Sequence, residues 1–188
     1  MRVTRQRYQP QNLKFHAVAD RSYNVLFLCT GNSARSILAE AILNHDGARR
    51  FNAYSAGSFP KGQIHPVALD VLKSLGFAHE GFRSKSWDEF AKAGSPQLDF
   101  IFTVCDNAAG ETCPIWPGHP MTAHWGIEDP AAVEGDGQRD AFVQALRYLR
   151  RRIELFLVLP IESLDRMTLK AKLGHIGKEQ GGTAKALA

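Results

Sequence analysis

Cysteine is scarce in this chain: the three residues Cys29, Cys105 and Cys113 are an odd number that cannot all pair within one molecule. A disulfide framework is therefore excluded as the basis of the fold. In a reducing compartment the roles left to such thiols are metal binding, catalysis or inert packing. Long apolar runs are missing as well, and none approaches the roughly 20 residues that a membrane helix requires. The first 23 residues carry neither the continuous apolar segment nor the small-residue cleavage site of a secretory signal, although their basic, acid-poor character would suit a transit peptide. The cytoplasm is the expected location, with no membrane partner. A hydrophobic content of 44% argues against disorder, and a chain of 188 residues can bury roughly 70% of its unfolded surface.

A basic surplus is also absent where a nucleic-acid module would need it. The net charge is +4, but residues 1–23 hold five Lys/Arg against one acid and residues 161–188 hold five against three. The 13 basic and 15 acidic residues between them leave the middle slightly acidic. No nucleic-acid partner is expected, and an anion site in the middle must rely on local donors. The run Arg150, Arg151, Arg152 falls late in a helical pattern, where cations suit the helix dipole, and reads as a solvated face.

What is present is an alternation of strand and helix signals. Tyr23–Cys29 and Asp99–Cys105 read as buried strands, Ala53–Gly57 as a strand end and Met121–Gly126 as a further candidate. Ser36–Asn44, His65–Leu75, Trp87–Ala93 and Gln138–Leu159 carry helical spacing. The pattern predicts an α/β fold, a parallel sheet of about four strands flanked by helices on both faces, with ligands outside the carboxyl ends of the strands. Residues 1–22 read as a basic extension, 23–160 as the catalytic domain and 161–188 as a helical or flexible tail.

Cys29 ends the first strand, and the loop Thr30, Gly31, Asn32, Ser33, Ala34 leads to Arg35 and Ser36 at a helix start. A cysteine, five residues and an arginine let backbone N–H groups, a helix N-terminus and a guanidinium converge on one point, which makes an oxyanion cradle. Gly31 and Asn32 tolerate the positive φ such a loop requires, and small Ser33 and Ala34 allow close approach. Arg35 adds a planar fork for two oxygens. The same donors are expected to lower the pKa of Cys29 and ready it as a nucleophile, with Ser36 donating to the thiolate. A nucleotide P-loop is disfavoured because the Gly-Lys-Ser/Thr ending is missing.

CTGNSARS after a hydrophobic strand resembles the phosphate-binding loop of the low-molecular-weight protein tyrosine phosphatase superfamily. SAGS (55–58), VCDNAAGETCP (104–114) and HWGIEDPA (124–131) resemble the arsenate reductases built on that fold, in order over about residues 23–160. The resemblance implies that Cys29 is the nucleophile, that Arg35 and the loop amides bind the oxyanion, and that Asp129 is the general acid. It places Asn32, Ser36 and Ser55 where relatives brace the loop. It further implies that Cys29 attacks arsenate, that a second thiol attacks the Cys29 sulfur, and that the resulting disulfide passes to an external reductant, thioredoxin or glutathione/glutaredoxin.

Asp129 also has a reading of its own, since Pro130 holds its predecessor extended and a protonated carboxyl over the cradle could protonate a departing oxygen. Cys105 and Cys113 supply the two electrons that reduction needs and phosphate-ester hydrolysis does not. If Cys105 ends its strand beside the loop, as parallel topology suggests, it is the better candidate to attack, with Cys113 as relay; the sequence alone leaves open which of the two attacks Cys29. Two features depart from the pattern: seven residues separate Cys105 from Cys113, and Ala34 stands where many relatives have cysteine. The alternative reading is a phosphatase of the same fold hydrolysing phosphate monoesters, against which Ala131 and Ala132 stand where an aromatic would grip a substrate ring. No bound cofactor or metal is expected. Cys105, Cys113, His119 and His124 lack zinc-site spacing, His65 reads as a helix start, and the three tryptophans as packing.

Overall fold

The structure, a computed structural model, describes residues 21–112 and 114–188, so the expectations for residues 1–20 and for Cys113 lie outside the described residues. Four strands, β1 (Tyr23–Cys29), β2 (Phe51–Gly57), β3 (Phe100–Thr103) and β4 (Met121–His124), form one parallel sheet in the order β2-β1-β3-β4. Between and after them run α1 (Arg35–Asp46), α2 (Pro66–Ser74), α3 (Asp106–Gly110), α4 (Gln138–Leu157), α5 (Arg166–Gly177) and α6 (Ala184–Leu187). Strand β1 is central because it is apolar on both faces, as a strand buried from two sides must be.

Its alternate residues feed two cores. Val25 and Phe27 join Phe100, Phe102, Trp125 and residues of α1, α2, α4 and α5 in the larger one, where Trp125 stacks on Phe102 at 3.8 Å. Leu26 and Leu28 face the smaller one, with Ile101, Trp87, Phe90, Leu98 and Trp116. Helices were expected on both faces. The smaller core is instead roofed by the 3-10 turn Trp87–Phe90 and loops, whose Trp87, Phe90, Leu98 and Trp116 pack over Leu26, Leu28 and Ile101.

Register brings the chemistry together. Cys29 pairs with Gly57 and Leu28 with Thr103, so the loops after β1, β2 and β3 leave the sheet at one edge. His65 caps α2, accepting from Val67 N at 3.3 Å.

At the carboxyl end, residues 161–188, expected as a helical or flexible tail, carry helices that pack on the core: Leu169, Leu173 and Ile176 of α5 are buried, and Trp125 Nε1 donates to Leu173 O at 3.0 Å. Arg152, expected on a solvated face with Arg150 and Arg151, is wholly buried. Its guanidinium donates to the carbonyls of Tyr148, Gly177, Glu179 and Gln180 at 2.8–3.3 Å. Four carbonyl partners meet the requirement that a buried cation be solvated by protein groups.

Candidate functional site

The loop after β1 curls around the Cys29 sulfur. Asn32 N–H points at Sγ from 3.1 Å and Ser36 Oγ lies 3.0 Å away. Asn32 takes φ +40, a left-handed value that asparagine tolerates. Gly31 was expected to share that conformation and does not; its smallness matters instead, because a Cβ there would meet the Lys61 side chain at 3.3 Å. Helix α1 starts after Ala34 with no side-chain cap, which leaves its first amides to face the cleft.

Behind the loop runs a buried brace. The Asn32 amide donates to Ser36 Oγ at 2.9 Å and Ser55 Oγ at 2.8 Å, and its Oδ1 accepts from Lys85 N at 2.8 Å. Ser55 in turn donates to Glu40, whose carboxylate stands 3.8 Å from Lys85 Nζ. Burial pushes Glu40 above the ordinary carboxylate range and pulls Lys85 below the usual amine range, each against the attraction of the other. Each of these groups has a partner, so the loop is held before any ligand arrives.

Arg35 reaches across the mouth. It donates to Ile127 O at 3.1 Å and pairs with Asp129 Oδ2 at 3.1 Å, the arginine 15% exposed and the aspartate 43%. Asp129 also accepts from Ala131 N at 3.2 Å, capping the 3-10 turn that Pro130 begins. The resulting cleft, about 190 Å³, is lined by Cys29, Thr30, Gly31, Ser33, Ala34, Arg35 and Asp129, together with Phe59, Lys61 and Asn107. Asn32 and Ser36 sit behind the lining rather than in it.

Cys105 follows β3, buried, with Thr30 N–H directed at its sulfur from 3.4 Å and Thr30 Oγ1 at 3.7 Å. Cys29 and Cys105 are free thiols. A second hollow lined by Arg35, Cys105, Asp106, Asn107, Ile127, Glu128, Asp129 and Thr183 shares Arg35, Asn107 and Asp129 with the first. Cys29 lines the first hollow and Cys105 the second, and the two adjoining hollows, meeting at these three residues, make up a trough.

One electrostatic expectation is overturned. Burial pushes the Cys29 thiol above its ordinary value, and the neighbouring Cys105 adds to that, while the Ser36 hydrogen bond and Arg35 pull against them. The largest of these is burial, which only the folded chain supplies and which outweighs both opposing contacts. Among the described residues no three His, Cys, Asp or Glu side chains are grouped to hold a metal ion.

Sequence reasoning missed Phe59, Lys61 and Asn107 at the mouth, and Glu40 and Lys85 behind it. Phe59 and Lys61 follow SAGS directly, and their N–H groups bond to Thr30 O and Gly31 O, both at 3.0 Å. Proximity to that motif was the available signal. Glu40 and Lys85 meet only through the fold.

A cysteine and an arginine thus flank a tight loop at the carboxyl edge of a parallel sheet, and comparison with known proteins gives that arrangement a family. Residues 24–170 fit the model of the low molecular weight phosphotyrosine protein phosphatase family, and the chain belongs to that family. An arsenate reductase of Oceanobacillus iheyensis is 31% identical over 134 residues, 70% of this chain and 93% of the relative. Among solved structures, a thioredoxin-dependent arsenate reductase of Corynebacterium glutamicum superposes with TM-score 0.53 at 29% identity, covering 74% of this chain and 65% of that one. A low molecular weight protein tyrosine phosphatase from T. tengcongensis superposes with TM-score 0.60 at 25% identity, over 76% of this chain and all of the other.

Proposed function

We propose that this enzyme reduces arsenate to arsenite, with Cys29 as nucleophile and Cys105 and Cys113 as a disulfide relay. The observation that carries the reading is the second free thiol: Cys105 is buried against Thr30, one residue from Cys29, where hydrolysis alone would need none. The relatives named arsenate reductase agree with it.

In this reading the loop amides and Arg35 hold the oxyanion, whose oxygens take the guanidinium fork from Asp129. The freed Arg35 charge then favours the thiolate, offsetting the burial that keeps Cys29 protonated in the closed pair. The Cys29 sulfur bonds to arsenic(V), and one oxygen departs as water with a proton from Asp129. The Cys105 sulfur next attacks the Cys29 sulfur. An S–S bond forms, the S–As bond breaks, and its electron pair leaves with arsenic as arsenite. Cys113 then attacks Cys105, freeing Cys29, and an external dithiol, thioredoxin or glutaredoxin with glutathione, reduces the Cys105–Cys113 disulfide.

Arsenate-dependent NADPH oxidation coupled through thioredoxin and its reductase, run beside a glutaredoxin system, tests this. Cys105→Ser should lose multiple turnover while keeping oxyanion binding. A Cys105→Ser enzyme that turns over like the wild type would sink the relay and turn the reading toward hydrolysis. The phosphatase reading is disfavoured by the Asp129–Ala132 turn, which offers no aromatic side chain to a substrate ring.

A further inference from the structure

The carboxy-terminal segment beyond the family match of 24–170 is built into the Cys105 side of the trough. Gly182 bridges Ile127, and Thr183 N–H donates to Gly126 O at 3.1 Å, which lays this segment along the strand-like run leading to Asp129. The Thr183 side chain is buried and turns inward, its hydroxyl donating to the Asp106 carboxylate, the residue after Cys105. His124 Nε2 meets the same carboxylate oxygen at 3.0 Å, while its Nδ1 meets Thr103 Oγ1 at 2.8 Å. From the first turn of α6, Lys185 Nζ donates to Asp106 O at 3.1 Å.

Gly126 stands at the centre of this cluster. A Cβ there would lie 2.5 Å from His124 Nε2, 2.6 Å from Asp106 Oδ1 and 2.7 Å from Thr183 Oγ1, so the missing side chain is what lets the three groups meet. The segment is itself anchored, since Arg152 holds the carbonyls of Gly177, Glu179 and Gln180 from within the core. Helix α3 has only five residues and its cap, Cys105, makes no side-chain capping bond. So short a helix has little hold of its own on where it begins.

We infer that Thr183 is a positioning residue for the second thiol: its hydroxyl fixes Asp106, and with it the start of α3, so that the Cys105 sulfur stays beside Thr30 and within reach of Cys29. The inference rests on the arsenate-reductase reading. Thiol attack on a sulfur needs the three reacting atoms aligned, and small misplacement is costly in rate.

The test uses the full chain and the near-isosteric Thr183→Val, which removes the hydroxyl, with Thr183→Ser restoring it. Arsenate is added without reductant in a Cys113→Ser background, where the first disulfide cannot pass on, the reaction is quenched by alkylation at intervals, and the Cys29–Cys105 disulfide is followed by peptide mapping. Phosphate affinity is measured in parallel by calorimetry. The expected result is a disulfide-forming rate lowered about tenfold in Thr183→Val, near wild type in Thr183→Ser, and phosphate affinity within about twofold in both, since the cradle is braced separately. An unchanged rate in Thr183→Val overturns the positioning role. So does a parallel loss of phosphate binding and disulfide formation, which would show general loosening. If the wild type itself forms no disulfide with arsenate, the reading beneath fails, and this inference with it.

Discussion

On one side of the trough the loop carrying Cys29 hangs on Asn32, Ser36 and Ser55, all wholly buried, and behind them on the Glu40–Lys85 pair. On the other, the segment carrying Cys105 hangs on Asp106, His124 and Lys185, all partly or fully open to solvent, and on one buried hydroxyl from a distant part of the chain. The difference fits the proposed reaction, in which a cradle for a tetrahedral anion gains from being complete beforehand, whereas a thiol that hands on a disulfide would move once per cycle. Strong buried contacts would hinder that movement. One carboxylate on each side carries the contrast in its titration: burial raises Glu40, while for Asp106 partial burial is outweighed by the Thr183 and His124 hydrogen bonds and it is held low.

The sharpest way to break the comparison is at the cradle itself. Arg35→Lys should weaken phosphate or arsenate binding by roughly 10- to 100-fold, because a point charge cannot reproduce a two-oxygen fork. Calorimetry reads this directly, and an affinity within twofold of wild type would remove Arg35 from the binding role. Smaller in functional terms, and larger for the fold than for binding, is Lys85→Met, which strands Glu40 in the interior. A raised carboxyl binds its proton more tightly in the folded chain, so its contribution to stability is full below the ordinary carboxylate value and is lost as pH rises through the raised one. The variant should therefore be destabilised by about 3 kcal/mol at pH 8, with a smaller loss at pH 5, in urea titrations. A loss equal at both pH values would mean that Glu40 is not the group left unpaired.

The smallest effect belongs to the other side. Asp106 is held low, so what it contributes is present above the ordinary carboxylate value and disappears as pH falls through the depressed one, opposite in sign to Glu40. Asp106→Asn should change stability at neutral pH by under about 1 kcal/mol, as expected of a partly exposed pair, and the difference should vanish in acid. A cost as large as that of Lys85→Met would erase the distinction between a fixed side and a movable one.

The sequence showed the local parts of this arrangement and little of the long-range ones. Strand β1 was legible because a strand buried on both faces is a short continuous apolar run, helix α1 because its apolar residues recur at helical spacing, and the turn from Cys29 to Arg35 because it is local. Helix α3 left no such mark in five residues. Arg152 read as surface because a triple-arginine run shows no difference between its members, and only the return of residues 177–180 makes one of them interior. The direction of the Cys29 shift failed for a related reason. Local donors argue for a thiolate, whereas burial, which only the packed fold supplies, outweighs Ser36 and Arg35 and raises the thiol.

That interior arginine also bears on how the protein is made. A guanidinium cannot shed its proton to suit an apolar surrounding, so Arg152 has no comfortable place in the core until the carbonyls of Gly177, Glu179 and Gln180 arrive. Synthesis delivers the Cys29 loop early and these acceptors late. Arg152 must wait for them, and in ribosome-bound chains of increasing length helix α4 should become fully protease-resistant only after Gln180 has emerged.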